Sequence, residues 1–176
     1  MPSWTASSTV FSARSIRVFR LFSPWRAPGD TAGASRRGGR WNSPGTAVLY
    51  AASSLSLACL EILVHLRQIE NVPELSYAES VFRQSQIESW KVPPERTHAI
   101  LESEILSREM GDNWMARRRW EPARRRPLPA LQVPSAVIPQ EWNYVIDPED
   151  AGFAVLRWSD PKPFHIDPRL AGPALR

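Results

Sequence analysis

The chain of 176 residues is poor in the features that mark several large protein classes. It has one cysteine, Cys59, so it cannot form an intrachain disulfide and shows no sign of an oxidising compartment. No stretch approaches the roughly 18 apolar residues that a membrane span requires. The first twelve residues lack the charged and then apolar segments of a signal peptide. We therefore expect a cytoplasmic protein without membrane association.

Lysine is also scarce. The chain has two lysines and 20 arginines against 18 acidic residues, which gives a formal net charge of +4. This charge suits a phosphate-bearing ligand, an acidic partner or nucleic acid, and composition does not choose among them. The hydrophobic fraction of 43% is enough for a packed core, and the length suits one domain. The 17 prolines limit the length of helices.

Several catalytic and binding motifs are missing. No Gly-x-Ser-x-Gly nucleophile elbow occurs, and no Gly-Lys-Ser/Thr follows the glycines of the chain as a P-loop would require. The three histidines and the single cysteine show no spacing typical of a zinc site. We therefore expect neither serine hydrolase chemistry nor a bound metal.

Hydrophobic patterning predicts a single α+β domain with short central strands and flanking helices. Residues 1–13 are expected to be a flexible N-terminus, which leaves 14–176 as the domain. The strands are predicted over 16–22, 47–51, 77–82, 131–133, 143–146 and 154–158. One helix, apolar nearly all round and therefore buried, is predicted to begin at a cap formed by Ser53 or Ser54 and to run to about Arg67. A second helix is predicted over 97–110, with Gly111 as its end.

Two further segments are predicted to lack regular structure. Residues 24–39 contain four glycines and read as a loop. Residues 117–126 carry six arginines around a tryptophan and a proline. Such a run is typical of an exposed, solvated connector, although it also resembles patches that bind nucleic acid or an acidic partner.

Glu61 is the most unusual residue of the first predicted helix. Leu57 and Val64 flank it at helical spacing, and a carboxylate among apolar side chains is costly unless it is hydrogen-bonded or paired. Either it reaches solvent at a rim, or it lies in a cleft, where carboxylates act as general bases or stabilise cationic transition states. His65 follows four residues later and either shares this face or lies in the core.

Arg20 stands on an otherwise apolar face of the first predicted strand. It is either half of a buried ion pair, with Glu61 as an available counter-charge, or an anion clamp, because arginine binds carboxylate or phosphate bidentately. The segment 38–42, GGRWN, is likewise either a tight turn or an anion-binding loop. Adjacent glycines allow the backbone to approach a ligand, consecutive N–H groups can surround an anion, and Arg40 adds charge.

Taken in order, these motifs resemble the RES-domain family, which is named after an Arg, a Glu and a Ser. The core of the match is the segment 38–61, GGRWNSPGTAVLYAASSLSLACLE, followed by Val64 and His65. The other matching elements are Val18-Phe19-Arg20, Gly111-Asp112-Asn113-Trp114, Val133-Pro134-Ser135, Asn143-Tyr144 and Asp167-Pro168-Arg169-Leu170. The resemblance covers residues 16–170.

This resemblance implies a fold similar to that of ADP-ribosyltransferases and the activity of a bacterial toxin that consumes NAD. Members of the family break the nicotinamide–ribose bond by phosphorolysis or hydrolysis, and some transfer ADP-ribose to a protein instead. NAD would then be the substrate and inorganic phosphate the co-substrate, without any cofactor. The implied partner is a cognate antitoxin with a DNA-binding domain, which covers the active site of a toxin that forms a homodimer within the complex.

The resemblance also implies the roles of particular residues. Glu61 would stabilise the oxocarbenium-like charge or hold a ribose hydroxyl, and Tyr50 would stack on the nicotinamide riboside or hydrogen-bond to it. Together with Arg20 these are the expected catalytic residues. The expected substrate-binding residues are Gly38, Gly39, Arg40, Trp41, Asn42 and Ser135. Of these, Arg40 and the two glycines would join Arg20 at the pyrophosphate, and Ser135 would hold the ribose or the attacking phosphate.

Two features depart from the family pattern. Phe19 stands where the family often has tyrosine. The Asn-Tyr element continues as Asp147-Pro148-Glu149-Asp150, where members commonly have Asn-Pro and then a histidine. A non-enzymatic module that binds nucleic acid through the arginines of 117–126 is the competing hypothesis from a different class.

Overall fold

The computed structural model describes residues 15–65, 74–120, 127–167 and 170, so the predicted flexible N-terminus lies outside the described residues. The elements, in chain order, are β1 (Ser15–Phe22), α1 (Ala32–Arg37), β2 (Leu49–Ala52), α2 (Leu55–Leu63), β3 (Leu75–Arg83), β4 (Ile87–Glu88), α3 (Pro94–Glu102), α4 (Glu104–Trp120), β5 (Ala130–Pro134), β6 (Trp142–Ile146) and β7 (Lys162–Phe164). The predicted α+β class is confirmed. Within the described ranges no helix combines the length and the apolar character needed to cross a membrane.

The strands form a single sheet in the order β4-β5-β6-β2-β1-β3-β7. Neighbouring strands are antiparallel, except β4 and β5, which run parallel. The register places Ala52 of β2 opposite both Phe19 of β1 and Asn143 of β6. These three residues therefore form one row across the middle of the sheet. They matter for function because all three line the cleft described below.

Each face of the sheet carries its own apolar cluster, as the alternation of side chains along a strand requires. On one face Tyr144 and Ile146 of β6 join a cluster against which Phe153 packs. On the other face Val145, which lies between them, joins a cluster that contains Trp114 of α4. The helices α3 and α4 therefore cover one face of the sheet only, and the C-terminal region covers the other face.

Five of the six predicted strands are present with shifted ends, and the sixth is wrong. The segment 154–158 is not a strand, because a short 3-10 helix runs through Ala151–Val155. The side chain of Asp150 accepts a hydrogen bond from the N–H of Gly152 at 2.8 Å and so begins this helix. A local contact of this kind competes with strand pairing. The structure also adds β4 and β7, which are too short to show a hydrophobic period.

The predicted helix over 97–110 is wrong in two respects. It is two helices, because Ser103 has an extended backbone between α3 and α4. Gly111 also does not end the second helix but lies inside it. A Cβ at position 111 would clash with the Trp41 carbonyl oxygen. The glycine therefore allows α4 to pack directly against the 38–42 turn. Sequence rules for helix ends do not predict this, because the contact is between residues distant in the chain.

The two earlier helices also differ from expectation. The α2 helix begins as predicted, with Ser54 accepting a hydrogen bond from the N–H of Leu57 at 3.1 Å. It ends at Leu63, and residues 66–67 of the predicted helix lie outside the described residues. Only three of its nine residues, Leu57, Ala58 and Cys59, are buried, so the prediction of a wholly buried helix is wrong. The reason is that Glu61 and Ile62 border an open cleft. The predicted loop over 24–39 contains a six-residue helix, α1. None of its residues is buried, so no apolar stripe indicates this helix in the sequence.

The last turn of α4 contains three successive arginines, and the structure pairs each of them with a carboxylate. Arg118 and Asp150 form an ion pair of 2.6 Å, and their side chains are only 6% and 10% exposed. Arg119 pairs with Asp147 at 2.9 Å. The acidic segment that departs from the family pattern therefore holds the end of α4.

Arg117 completes the set by pairing with Glu88 of β4 at 2.5 Å. The prediction of an exposed connector over 117–126 is therefore wrong in that residues 117–120 are helical and Arg118 is buried, whereas Arg117, Arg119 and Trp120 are exposed as predicted. Residues 121–126 lie outside the described residues. The error arises because a run of arginines looks the same in sequence whether it faces solvent or distant acidic partners.

Replacing Arg118 by alanine is expected to lower the free energy of unfolding by about 3–5 kcal/mol, because Asp150 would stay buried without its counter-charge. Urea unfolding of the purified variant measures this loss. The matched control is Arg117→Ala, whose side chain is 55% exposed. Its expected cost is below about 1 kcal/mol. Equal losses in the two variants would contradict a structural role specific to the buried pair.

Candidate functional site

A cleft of about 350 Å³ opens between α1, the 38–42 turn, α2 and the central strands. It brings together most of the residues that the sequence nominated. Those that line it are Arg20, Gly38, Gly39, Arg40, Trp41, Tyr50 and Glu61. Asn42 and Ser135 lie outside the lining, and Asn143, His65 and Arg37 are added to it.

Glu61 projects from α2 and is held at a single carboxylate oxygen. Its Oε1 accepts hydrogen bonds from Ser135 Oγ at 2.7 Å and from Asn143 Nδ2 at 2.5 Å. No described residue donates to Oε2. Of the alternatives posed by the sequence, the structure therefore has the carboxylate in a cleft, half-buried and hydrogen-bonded, and not in an ion pair with Arg20.

Ser135 follows β5 and has no exposed surface. Its Oγ accepts hydrogen bonds from the N–H groups of Val137 at 3.0 Å and Ile138 at 2.9 Å. Because the backbone donors occupy its lone pairs, the hydroxyl proton is directed to Glu61. Ser135 thus lies behind the carboxylate and outside the lining of the cleft, and its expected contact with ribose or phosphate stays a prediction.

Arg20 is held by backbone carbonyl groups and not by a carboxylate. Its two terminal nitrogens donate to the carbonyl oxygens of Tyr50 at 3.0 Å and Asp30 at 2.8 Å. Burial lowers the pKa of Arg20 to about 10, and the charge of Asp30 opposes this effect. The guanidinium is therefore still charged at neutral pH, in a partly desolvated position. No described carboxylate forms an ion pair with it, so it is available to an anion in the cleft.

Tyr50 fixes the turn that forms one wall of the cleft. Its hydroxyl donates to Asn42 Oδ1 at 2.7 Å and accepts from the N–H of Trp41 at 3.1 Å. Burial raises the pKa of this phenol above its usual value, so the proton stays in place. A Cβ at Gly39 would lie 2.8 Å from the same hydroxyl oxygen, which explains why the turn needs glycine there. Gly38 has a φ of 71°, the conformation that glycine adopts most readily.

Asn42 is completely buried and ties the turn to its surroundings. Its Nδ2 donates to the carbonyl oxygens of Ala34, Ser43 and Thr46 at 3.1, 3.2 and 3.0 Å. Asp112 of α4 adds a further tie, because its carboxylate accepts from both the N–H and the hydroxyl of Ser43. Asn42 therefore shapes the cleft without lining it.

The charge of the cleft is predominantly positive. Three arginines line it, against the single carboxylate of Glu61. Arg40 donates to the Leu101 carbonyl oxygen at 2.9 Å, and Arg37 is exposed at the end of α1. Neither forms an ion pair with a described carboxylate. A cleft with several such cations and one oriented carboxylate suits a ligand that carries phosphates and develops positive charge elsewhere.

Sequence reasoning did not select Asn143 or Arg37 as site residues. Asn143 stood in a recognised motif, but no sequence signal shows that a strand asparagine lies beside a carboxylate 82 positions away. Arg37 lies in the predicted loop over 24–39, where no motif singled it out. The sequence left open whether His65 shares the face of Glu61 or lies in the core. In the structure His65 is exposed and lines the same cleft as Glu61.

The fold and the site define an α+β protein with a basic, carboxylate-bearing cleft. The chain belongs to the RES-domain family, whose model, described as the RES domain, matches residues 13–167. It is 30% identical over 148 residues to "Toxin Res" of Yersinia enterocolitica, covering 78% of this chain and 87% of that relative. It is 28% identical over 151 residues to the "Prs ADP-ribosylating toxin" of Sphingobium sp. strain YBL2, covering 79% and 84%.

A solved structure supports the same fold. The crystal structure of the M. tuberculosis MbcT-MbcA toxin–antitoxin complex contains a chain similar to this one with a TM-score of 0.66. The likeness covers 90% of this chain and 88% of the other at 15% identity. The expected fold, a single α+β domain, is therefore confirmed.

Replacing Tyr50 by phenylalanine is expected to lower the free energy of unfolding by about 1–3 kcal/mol, because Asn42 Oδ1 and the Trp41 N–H would lose their partner. Thermal or urea unfolding measures the change. Tyr77→Phe is the matched control, since the ring of Tyr77 packs edge-on against Phe164 and its hydroxyl has no described partner. An equal effect of the two substitutions would show that the Tyr50 hydroxyl does not hold the turn.

Proposed function

We propose that this protein is the toxin of a toxin–antitoxin pair and that it consumes NAD by breaking the nicotinamide–ribose bond. The observation that carries the proposal is the carboxylate of Glu61, held at Oε1 with Oε2 unoccupied by any described donor, in a cleft that is otherwise positively charged. The relatives named as toxins support the biological role.

The chemistry follows from the charges that change during bond cleavage. The bond between ribose C1′ and the nicotinamide nitrogen breaks, and its electron pair stays with the ring, which leaves as a neutral molecule. Positive charge then spreads over C1′ and the ribose ring oxygen. A fixed carboxylate beside this position stabilises the charge or accepts a hydrogen bond from a ribose hydroxyl. No strong general acid is needed, because the leaving group is neutral.

The arginines of the cleft suit the other part of NAD. Its pyrophosphate carries two negative charges, and Arg20, Arg37 and Arg40 line the same cleft as Glu61. The carbonyl groups that bind Arg20 and Arg40 fix the positions of these cations without neutralising them. The cleft is thus prepared for a dinucleotide with its phosphates at the arginines and its labile bond at Glu61.

Inorganic phosphate is the acceptor that the proposal favours, with water as the simpler option. An oxygen of phosphate would form the new bond to C1′ and give ADP-ribose 1-phosphate, whereas water would give ADP-ribose. The surplus of cations over carboxylates in the cleft favours the anionic acceptor. No cofactor takes part in either reaction.

The proposed partner is a separate antitoxin chain that covers the cleft and carries a DNA-binding domain, in a complex that contains a homodimer of the toxin. The similar chain of the M. tuberculosis complex was solved as a toxin–antitoxin pair. A second candidate function is transfer of ADP-ribose to a protein side chain. The name of the Sphingobium relative, an ADP-ribosylating toxin, favours this alternative. The two functions share the bond that breaks and differ in the acceptor.

Replacing Glu61 by glutamine is expected to reduce kcat/KM for NAD loss on the order of 10²–10³-fold, because the charge-stabilising carboxylate becomes neutral. The assay follows NAD and nicotinamide over time, with and without inorganic phosphate. Glu109→Gln, at an exposed position of α4, removes the same charge away from the cleft and should leave the rate unchanged.

Each outcome of this assay has a definite meaning. Loss of NAD that requires phosphate supports phosphorolysis, and loss without it supports hydrolysis. Intact NAD in both buffers, together with label from NAD on a cellular protein, would replace the proposal with protein ADP-ribosylation. No NAD consumption and no label transfer would refute the enzymatic proposal altogether.

Arg37 and Arg36 provide a test of the anion-binding part of the cleft. Both are exposed in the last turn of α1, but only Arg37 lines the cleft. Arg37→Ala is therefore expected to raise KM for NAD about three- to tenfold with little change in kcat, because one contributor to ground-state binding is lost. Arg36→Ala should leave KM unaltered. Equal effects of the two variants would show that only the general charge of α1 matters.

A further inference from the structure

Asn143 is the second donor to the Glu61 carboxylate, and we propose that it is a positioning residue that fixes the orientation of this carboxylate for bond cleavage. The inference rests on the proposed NAD cleavage and adds a specific requirement to it. Asn143 contributes through Glu61, so its effect should appear in turnover and in the response of turnover to pH.

The two donors to Glu61 come from one hairpin. Asn143 lies on β6, paired in register with Val133 of β5, and Ser135 follows β5 by one residue. Glu61 comes from α2, a different layer of the fold. The β5–β6 hairpin therefore binds a carboxylate that belongs to α2, and both hydrogen bonds go to the same oxygen, Oε1.

Two donors are needed because one hydrogen bond does not define the plane of a carboxylate. The terminal torsion of a glutamate side chain is broad and roughly two-fold, so the group can rotate about a single bond to Ser135. Ser135 is itself immobilised by two backbone N–H groups. The amide of Asn143 adds the second fixed point, at 2.5 Å, and leaves Oε2 as the oxygen without a described donor.

The position of Asn143 in the sheet supports the same role. It is opposite Ala52, which is opposite Phe19, and all three residues line the cleft. The amide thus lies at the boundary between the floor of the cleft and the helix that carries Glu61. Asn143 donates to Glu61, the carboxylate proposed to act in the reaction. The wholly buried Asn42 differs, because its amide donates only to backbone carbonyl oxygens.

An isosteric substitution provides a sharp test, because aspartate differs from asparagine chiefly in one ionisable group. In Asn143→Asp the amide donor is lost and a second carboxyl faces Glu61. Two carboxyl groups at hydrogen-bond distance cannot both ionise freely, so the pair takes up one shared proton as the pH falls. That proton restores an O–H donor to Glu61. The other ionisable residues that share the cleft are Arg20 on β1, Arg37 on α1, Arg40 in the turn, Tyr50 on β2 and His65 after α2.

The experiment measures kcat and KM for NAD between pH 5 and pH 9 in the full-length protein, its Asn143→Ala and Asn143→Asp variants, and a charge-matched control. Asn143→Ala is expected to lower kcat on the order of 100-fold with KM nearly unchanged, because a misplaced catalytic group impairs the transition state more than binding. For Asn143→Asp the ratio of its kcat to that of the unaltered protein should rise by about tenfold or more as the pH is lowered.

The control is Asn113→Asp, which adds the same charge at an exposed position of α4 and should follow the pH profile of the unaltered protein. Thermal unfolding of each variant separates loss of fold from loss of orientation, and the isosteric Asn143→Asp serves if Asn143→Ala does not fold. A pH-independent defect in Asn143→Asp, or full kcat in Asn143→Ala, would overturn the proposal.

A second readout does not depend on activity. In ¹⁵N-labelled protein, the side-chain amide signal of Asn143 is expected to shift when Glu61 is replaced by glutamine, and that of Asn113 is not. If the unaltered protein leaves NAD intact in every buffer but this shift is present, the proposed function fails while the contact holds. If the protein cleaves NAD and the Asn143 signal does not respond to Glu61→Gln, the positioning role fails while the function stands.

Discussion

The pair of hydrogen bonds on Glu61 Oε1 is the interaction on which the site depends. It joins α2 to the β5–β6 hairpin, so the helix and the central sheet cannot shift independently without disturbing the carboxylate. The α2 helix is largely apolar yet only three of its nine residues are buried, because part of it borders the cleft. A carboxylate among such neighbours requires hydrogen bonds, and here these bonds also orient it.

A second constraint shapes the opposite wall. The 38–42 turn is tied to β2 through Tyr50, to α1 through Asn42 and to α4 through Asp112, which accepts hydrogen bonds from Ser43. Gly111 permits α4 to approach the Trp41 carbonyl closely enough for this arrangement. The glycine-rich turn is thus held in place by hydrogen bonds to three neighbouring elements.

The arginines fall into two groups that differ in their partners. At the end of α4, Arg117, Arg118 and Arg119 pair with carboxylates from β4 and from the segment after β6, and they fasten the helix to the sheet. In the cleft, Arg20 and Arg40 donate to carbonyl groups and form no ion pair with a described carboxylate. The paired arginines stabilise the fold, and the proposed function assigns those of the cleft to the phosphates of the ligand.

The sequence by itself determined the α+β class, five of the strands, a start of α2 at Ser53 or Ser54, and the candidates Glu61, Arg20 and the 38–42 turn, since local periodicity, capping and misplaced charge are visible in short windows. Only the tertiary structure decided which partners these residues have. Gly111 lies inside a helix because of the distant Trp41 carbonyl, and Arg118 is buried because Asp150 lies 2.6 Å away. Ser135 and Asn143 meet Glu61 across 74 and 82 positions of the chain, and contacts over such separations follow from the packing of the sheet against α2.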